Sequence, residues 1–318
     1  MSQDLHTAAP PDVLLCDPDA LRLAWRDLLD RQPHLHGPDA AARLGVPEAA
    51  LIASRIGHGA TPLRPDLARL LDDCADWGKV LVAVRNRMGV ALGILDDATA
   101  TLGAPCIRLA SDAIQVGLDA GAASFMYLFD ERDGHGHTVS LNWFDGAGDA
   151  VGRVFLMSKN GRERAVPRLL ECALDTGTLR WRAAEVPPVA VLRSGEPDRI
   201  LGVVDAVSPQ ELGERVVLGR DAAPYWSVRV EGPGATMTYR GPLAQGRATP
   251  PAVHATDMLL KLHLRMQAAV SVRVCEHDDG STSLQWVDAA GGTLSLAPQA
   301  PAPQVRRWID GVVVGSAA

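Results

Sequence analysis

Hydrophobic and polar positions follow two different periods along this chain. Before about residue 75, apolar residues recur every three or four positions, as at Leu21, Trp25 and Leu28, and this spacing predicts short helices. From Lys79 onward the period is mostly two, which predicts β-strands joined by tight turns. Strands in series without crossover helices favour antiparallel sheets, so we expect an α+β fold.

The predicted elements divide into two similar series. The N-terminal helices are predicted over residues 19–31, 39–45, 47–55 and 65–75. The first strand series is predicted over residues 79–84, 89–95, 106–109, 125–129, 138–144 and 151–157, with a helix over 163–174. The second strand series is predicted over residues 216–219, 226–230, 236–240, 259–266, 271–275, 281–287 and 293–297, with helices over 209–214 and 305–310.

One stretch of sequence occurs twice. Residues 140–148, Ser-Leu-Asn-Trp-Phe-Asp-Gly-Ala-Gly, return without a gap as residues 283–291, Ser-Leu-Gln-Trp-Val-Asp-Ala-Ala-Gly. A recurrence this far apart indicates duplication of a domain-sized half, and we interpret its tryptophans as core and its aspartates as turn residues. We therefore expect two tandem repeats, each a large antiparallel sheet with flanking helices. The predicted divisions are a disordered terminus (1–18), a first repeat (19–178) and a second repeat with a proline-rich junction (179–318).

Composition excludes several classes of function. The chain has 318 residues, a net charge of −7 and five scattered cysteines. The acidic balance argues against bulk binding to nucleic acid or to an anionic membrane. Residues 40–55 have helix-turn-helix spacing, but the second helix offers few side chains that could read bases. No apolar run approaches the roughly 18 residues of a membrane span, and the N-terminus lacks a signal pattern, so we expect a cytoplasmic protein.

Motifs for specific chemistry are missing from the sequence. It contains no His-Glu-x-x-His metal motif, no Gly-x-Ser-x-Gly nucleophile and no glycine-rich phosphate loop. Among nine histidines, His263 lies between two leucines and is expected to point away from them in a strand. His254 ends a proline-rich approach, residues 249–254, which we expect to be a loop of the kind that lines binding sites. The residues alone leave the chemistry open.

Several motifs in sequence resemble one family. Residues 39–57 resemble its pattern R-D-A-A-x-x-L-G-V-S-E-A-E-L-x-A-x-R-x-G, and residues 78–86 resemble G-x-V-M-A-L-T-R-N. Residues 232–242 resemble N-P-G-C-I-Q-I-H-T-G-P, and residues 262–264 match the end of N-L-H-L. From about Leu21 to Ala297 the chain is therefore similar to the HemS-type family, the bacterial cytoplasmic hemin-degrading or hemin-transport factors.

The resemblance implies heme trafficking or oxidative heme degradation for iron acquisition, with heme bound in the second half. The expected ligand is heme or another small molecule, and protein partners in iron uptake are left open. The chain departs from the family at the ligand site. The segment that carries the family's axial histidine corresponds to residues 179–188, which contain no histidine, and the pocket arginine's position falls near residues 115–117. These losses indicate a changed or abandoned ligand, and they leave heme-degrading activity an open question.

Two hypotheses follow from the resemblance. The first is a heme-handling protein in which His254 replaces the axial ligand to the iron, while Arg240 or Arg247 pairs with the heme propionates. Tyr239 and Tyr225 are the fallback donors for the iron, and His263 belongs to the candidate heme site through the matching Leu-His-Leu motif. The alternative is a non-enzymatic relative that has lost heme and acts as a binding or interaction module.

Overall fold

The computed structural model describes residues 17–33, 35–103, 105–133, 136–175, 189–192, 199–219, 223–249, 252–277 and 279–314. The terminus predicted to be disordered lies, except for its last two residues, outside the described residues. So does residue 34, together with most of the proline-rich junction.

Capping residues mark the ends of several helices. The helix Pro18–Arg31 starts behind Asp17, whose carboxylate accepts the backbone N–H groups of Asp19 and Ala20. The helix Gly37–Leu44 ends at Gly45, which has a left-handed backbone conformation. In chain order the α-helices are α1 (Pro18–Arg31), α2 (Gly37–Leu44), α3 (Glu48–Ala53), α4 (Leu67–Leu71), α5 (Lys159–Leu170), α6 (Pro209–Leu218) and α7 (Ala302–Val314).

The strands form two antiparallel sheets of nine strands each, which we call sheet A and sheet B. In spatial order, sheet A contains β1 (Ala60–Leu63), β7 (Phe125–Asp133), β8 (Gly136–Phe144), β9 (Ala150–Leu156), β2 (Val80–Asn86), β3 (Gly89–Leu95), β15 (Leu260–Leu264), β14 (Ala252–Thr256) and β13 (Gln245–Thr249). Sheet B contains β10 (Arg199–Val203), β16 (Ala269–Glu276), β17 (Thr282–Asp288), β18 (Thr293–Pro298), β11 (Trp226–Gly232), β12 (Ala235–Gly241), β6 (Ile114–Asp119), β5 (Cys106–Ala110) and β4 (Thr99–Thr101). The α+β class and the large antiparallel sheets predicted from the sequence are confirmed.

The two sheets correspond strand by strand, and each is shared by the two halves of the sequence. Six strands of sheet A come from the first half and three from the second, whereas sheet B has the reverse composition. Each half therefore contributes a three-stranded meander to the sheet that is built mainly by the other half. Because of this exchange, residues near 254 and 263 extend the sheet built mainly by the first half.

The inner faces of both sheets contribute to one hydrophobic core. The two tryptophans of the sequence repeat, Trp143 and Trp286, are each 0% exposed within it. The repeated aspartates organise equivalent turns. Asp145 accepts the backbone N–H groups of residues 147 and 149, and Asp288 accepts those of residues 290 and 292. The predicted roles in core and turn are confirmed at both copies.

Two local predictions are wrong. Residues 216–219 are not a strand, because Val216 and Val217 belong to α6 and are buried with Leu212 on its inner face. His254 is not in a loop, because residues 252–256 form strand β14, with Val253 and Ala255 buried and His254 on the opposite face.

Among the described residues, no helix combines the length and the apolar composition that crossing a bilayer requires.

Candidate functional site

A large cleft lies between the outer face of sheet A and the N-terminal helices. Its volume is about 1230 Å³, which is ample for a cofactor-sized ligand. Helices α1 to α3 and the α1–α2 connection form one wall, and strands β2, β3, β8, β9, β14 and β15 form the floor. The floor includes the apolar side chains of Val90, Leu92, Phe144 and Phe155. An apolar floor of this extent favours a ligand with a large hydrophobic surface.

A row of cross-strand neighbours runs over one end of this floor. Antiparallel pairing places Arg247 beside His254, His254 beside His263, His263 beside Val90, and Val90 beside Arg85. The row follows from alternation, because Leu262 and Leu264 on either side of His263 are buried in the core. Close approach of β3 to β15 also requires Gly89, since a Cβ there would lie 2.1 Å from the carbonyl oxygen of His263. Strand exchange thus brings both predicted histidines into the cleft.

The two histidines contact each other directly. Nδ1 of His254 lies 2.9 Å from Nδ1 of His263. The N–H of one imidazole therefore donates a hydrogen bond to the unprotonated nitrogen of the other. The rings meet edge to face, with centroids 5.0 Å apart. Burial, followed by the charges of His254, His36 and Lys261, lowers the pKa of His263. In the tautomer in which His254 donates through Nδ1 to neutral His263, the Nε2 lone pair of His254 is free for a ligand.

The cleft is positively charged although the chain is acidic. Six arginines and only two carboxylates, Asp39 and Glu48, line it, so it carries a local charge of +4 in a chain of net −7. The arginines are Arg31, Arg43, Arg85, Arg87, Arg153 and Arg265. Such a concentration of one sign attracts anionic ligands.

Two ion pairs connect the helical wall to the sheet. Arg265, just after β15, donates to both carboxylate oxygens of Asp39 in α2, at 3.1 and 3.0 Å. These hydrogen bonds lower the pKa of Asp39. Arg85 of β2 donates to Glu48 of α3 and to the carbonyl oxygen of Ala150. The wall is therefore fastened at both ends of the cleft.

Arg153 and Asn142 differ from these paired groups. They are cross-strand neighbours on β9 and β8, and both line the cleft. The guanidinium of Arg153 packs over the ring of Phe155, 5.4 Å from its centroid, and no described residue forms an ion pair or hydrogen bond with it. Burial lowers its pKa. Asn142 is 1% exposed, and its Oδ1 has no hydrogen-bond partner among the described residues.

The remaining predicted residues lie elsewhere. Tyr239 is buried on β12 of sheet B, where its hydroxyl donates to Pro242 or Asp257, each at 2.8 Å, and its pKa is raised by burial and by Asp257. Arg240 follows it on the exposed edge of that strand and faces Asp279 at 3.8 Å. Tyr225 is exposed just before β11, also outside the cleft. Arg247 is exposed on β13 and borders the cleft beside His254.

Four cleft residues were not predicted from the sequence, namely Arg85, Arg153, Asn142 and His36. One signal for Arg153 was available, because it is a charged residue within the otherwise apolar strand β9 and alternates with buried Val154. The others depend on how the helices lie over the sheet, which the local pattern does not contain. No group of three or more metal-ligating side chains occurs within the part of the chain that the structure describes.

Part of the chain matches a known domain family. Residues 45–171 match the family model described as the haemin-degrading HemS.ChuX domain. The hemin transport protein HmuS of Yersinia pestis is 29% identical over 126 residues, which is 39% of this chain and 36% of that protein. The matched stretch thus spans only about a third of that relative's length.

Two solved structures share the fold over nearly the whole chain. Holo-PhuS, a heme-binding protein from Pseudomonas aeruginosa, superimposes with a TM-score of 0.73 at 23% identity, covering 93% of this chain and 98% of PhuS. The heme-degrading enzyme ChuS of Escherichia coli O157:H7 gives a TM-score of 0.75 at 18% identity, covering 92% and 99%. At these identities the two matches establish the fold. Residues 45–171 are therefore similar to the HemS/ChuX domain family, and the chain as a whole shares the fold of PhuS and ChuS.

Proposed function

We propose that this protein is a cytoplasmic heme-handling protein of bacterial iron acquisition, and that it binds heme in the cleft on sheet A through His254. The hydrogen-bonded pair of His254 and His263 carries the proposal. Metal-bound histidines commonly donate their second ring N–H to an acceptor that fixes the ring orientation. His263, kept neutral by its lowered pKa, supplies that acceptor.

The cleft residues fit heme in three respects. The apolar floor suits a porphyrin ring, the excess of arginines suits two propionates, and an Nε2 lone pair of His254 suits iron. Bound heme would supply a redox-active iron that reacts with oxygen, and the family includes proteins named for both transport and degradation. In this chain His254 would hold the iron, His263 would orient His254, and the helical wall would exclude water.

A heme titration followed by the Soret band tests the proposal. The wild type should bind one equivalent saturably, and added imidazole should compete for the iron. His254→Ala should shift the Soret band and weaken binding by roughly a hundredfold or more, the upper end of losses seen when metal sites are perturbed. His137→Ala is the matched control, because His137 contacts Asp130 on β7 outside the cleft. Weak, non-saturating binding by the wild type would favour the alternative of a relative that has lost heme.

A further inference from the structure

The arginines of the cleft differ in whether a carboxylate of the protein pairs with them. Arg85 and Arg265 are paired with the carboxylates of Glu48 and Asp39. Arg153 makes no ion pair or hydrogen bond with the described residues, although it is half-buried at the cleft floor and the charge of Glu48 acts on it. An unpaired charge in such a place is costly to the folded state, so its retention calls for an explanation outside the fold.

Asn142 gives a second, independent indication. It is almost fully buried beside Arg153, and its amide nitrogen donates to Ser140. Its Oδ1 accepts no hydrogen bond from the part of the chain that the structure describes. Buried polar atoms normally have partners, and those without one deserve a specific cause. Together the two residues present guanidinium donors and a free amide acceptor to the same part of the cleft.

The side chains around Arg153 indicate which kind of ligand group could bind there. Phe144, Phe155 and Leu92 line the same floor, so the body of the ligand is apolar at this point. A planar carboxylate matches the planar guanidinium with two parallel hydrogen bonds. A deprotonated carboxylate only accepts hydrogen bonds, so both of its oxygens would bind the guanidinium of Arg153, and neither would satisfy Oδ1 of Asn142.

We propose that Arg153, positioned beside Asn142, is the anchor for a carboxylate carried by a planar apolar ligand in the cleft. The identity of that ligand as heme, whose propionates are such carboxylates, rests on the proposed function. The carboxylate site itself does not, since it follows from Arg153 and the apolar floor. Arg153, a residue of the first half, would thus bind the anionic group of the ligand. It lies on β9, whereas the two histidines lie on β14 and β15.

The test compares heme with its dimethyl ester, in which both carboxylates are neutral. Wild type should bind heme at least roughly tenfold more tightly than the ester, the order expected for one charge-assisted bidentate contact. Arg153→Met should reduce this preference severalfold or more, Arg153→Lys should retain part of it, and the exposed control Arg240→Met should leave it unchanged. A preference that survives Arg153→Met would overturn the inference while leaving heme binding intact.

A second arm keeps the inference testable if heme does not bind at all. Naphthoate, a small planar carboxylate, is then titrated by calorimetry into the wild type and Arg153→Met. Binding that depends on Arg153 supports the carboxylate site, and its absence from the wild type overturns it. Arg153→Met should also show a Tm equal to or above that of the wild type, because it removes an unpaired charge. A clear drop in Tm would instead indicate that Arg153 serves the fold.

Discussion

The outer faces of sheets A and B are equivalent in topology but differ in how their polar groups are satisfied. Where sheet A pairs Asn142 with Arg153 across two strands, sheet B pairs Gln285 with Ser295. Gln285 donates to Ser295 at 3.3 Å and accepts from Cys275, whereas among the described residues the side chains of the sheet A pair form no hydrogen bond with each other. At equivalent positions, the side chains of sheet B are therefore hydrogen-bonded to each other, whereas those of sheet A could bind a ligand.

The exchanged meanders show the same contrast. His254 and His263 are direct neighbours on β14 and β15, and the corresponding neighbours on β5 and β6 are Arg108 and Gly117. The histidine pair therefore occurs on one face of a duplicated fold, among the residues described. Duplication provides two similar surfaces, so a ligand site can be kept on one while the other becomes structural.

Sheet B carries its own histidine within a hydrogen-bonded network. Nη2 of Arg229 donates to Nδ1 of His277 at 2.9 Å, and Nε2 of His277 contacts the hydroxyl of Ser283 at 2.8 Å. Thr293 donates to the buried carboxylate of Glu231 at 3.0 Å. These side chains satisfy one another, which is the behaviour expected of polar groups that stabilise a fold.

The largest effect predicted by this comparison is on stability at His277. His277→Ala removes two hydrogen bonds, one of them from a charged donor, and should lower the free energy of unfolding by about 2–3 kcal/mol. Its heme affinity, measured where the variant is fully folded, should equal that of the wild type. Urea denaturation and heme titration of His277→Ala and His254→Ala should therefore show opposite patterns. A loss of heme binding in His277→Ala would move the site to sheet B.

The second prediction concerns the acceptor of the histidine pair. His263→Phe keeps a ring of similar size but accepts no hydrogen bond, so heme affinity should fall by roughly ten- to a hundredfold. Because the pKa of His263 is lowered, its neutral form is fully present above the ordinary histidine range and is lost as pH falls through its own pKa. Wild-type affinity should decline at acidic pH for this reason. A pH profile of His263→Phe identical to that of the wild type would contradict the role of the pair.

The third prediction uses the repeated tryptophans. Both are fully buried, but Nε1 of Trp286 donates to the carbonyl oxygen of Pro209 at 3.0 Å, whereas Nε1 of Trp143 has no hydrogen-bond partner within the described ranges. Replacement by Phe leaves a similar cavity at each site, so Trp286→Phe should be more destabilising than Trp143→Phe by about 1 kcal/mol. If chemical denaturation showed the same loss in free energy of unfolding for both variants, the hydrogen bond from Trp286 to Pro209 would make no net contribution to stability.

Local pattern predicted the elements well where one strand face is buried. Residues 89–95 are a strand with the predicted bounds, since alternation there reflects the contrast between core and cleft. The pattern failed at Val216 and Val217, where two β-branched residues at the end of α6 resemble a strand. It also failed at residues 252–256, because the preceding prolines favoured a loop while the short strand gains its stability from neighbours on both sides.

The site was predictable only in part. His254 and His263 were named from the sequence, yet their contact arises from pairing between β14 and β15 and from insertion of both strands into the sheet of the other half. Arg85 and Arg153 owe their place in the cleft to helices that lie across the first-half strands. Long-range pairing of this kind leaves no period in the local sequence, so it could not be inferred from alternation.

A crystal structure of the protein with bound heme tests the central claim most directly. The account predicts one heme between the outer face of sheet A and helix α2, with Nε2 of His254 on the iron and a propionate at Arg153. Heme on the outer face of sheet B, near His277 and Gln285, would contradict it and would show that the ligand site had not moved.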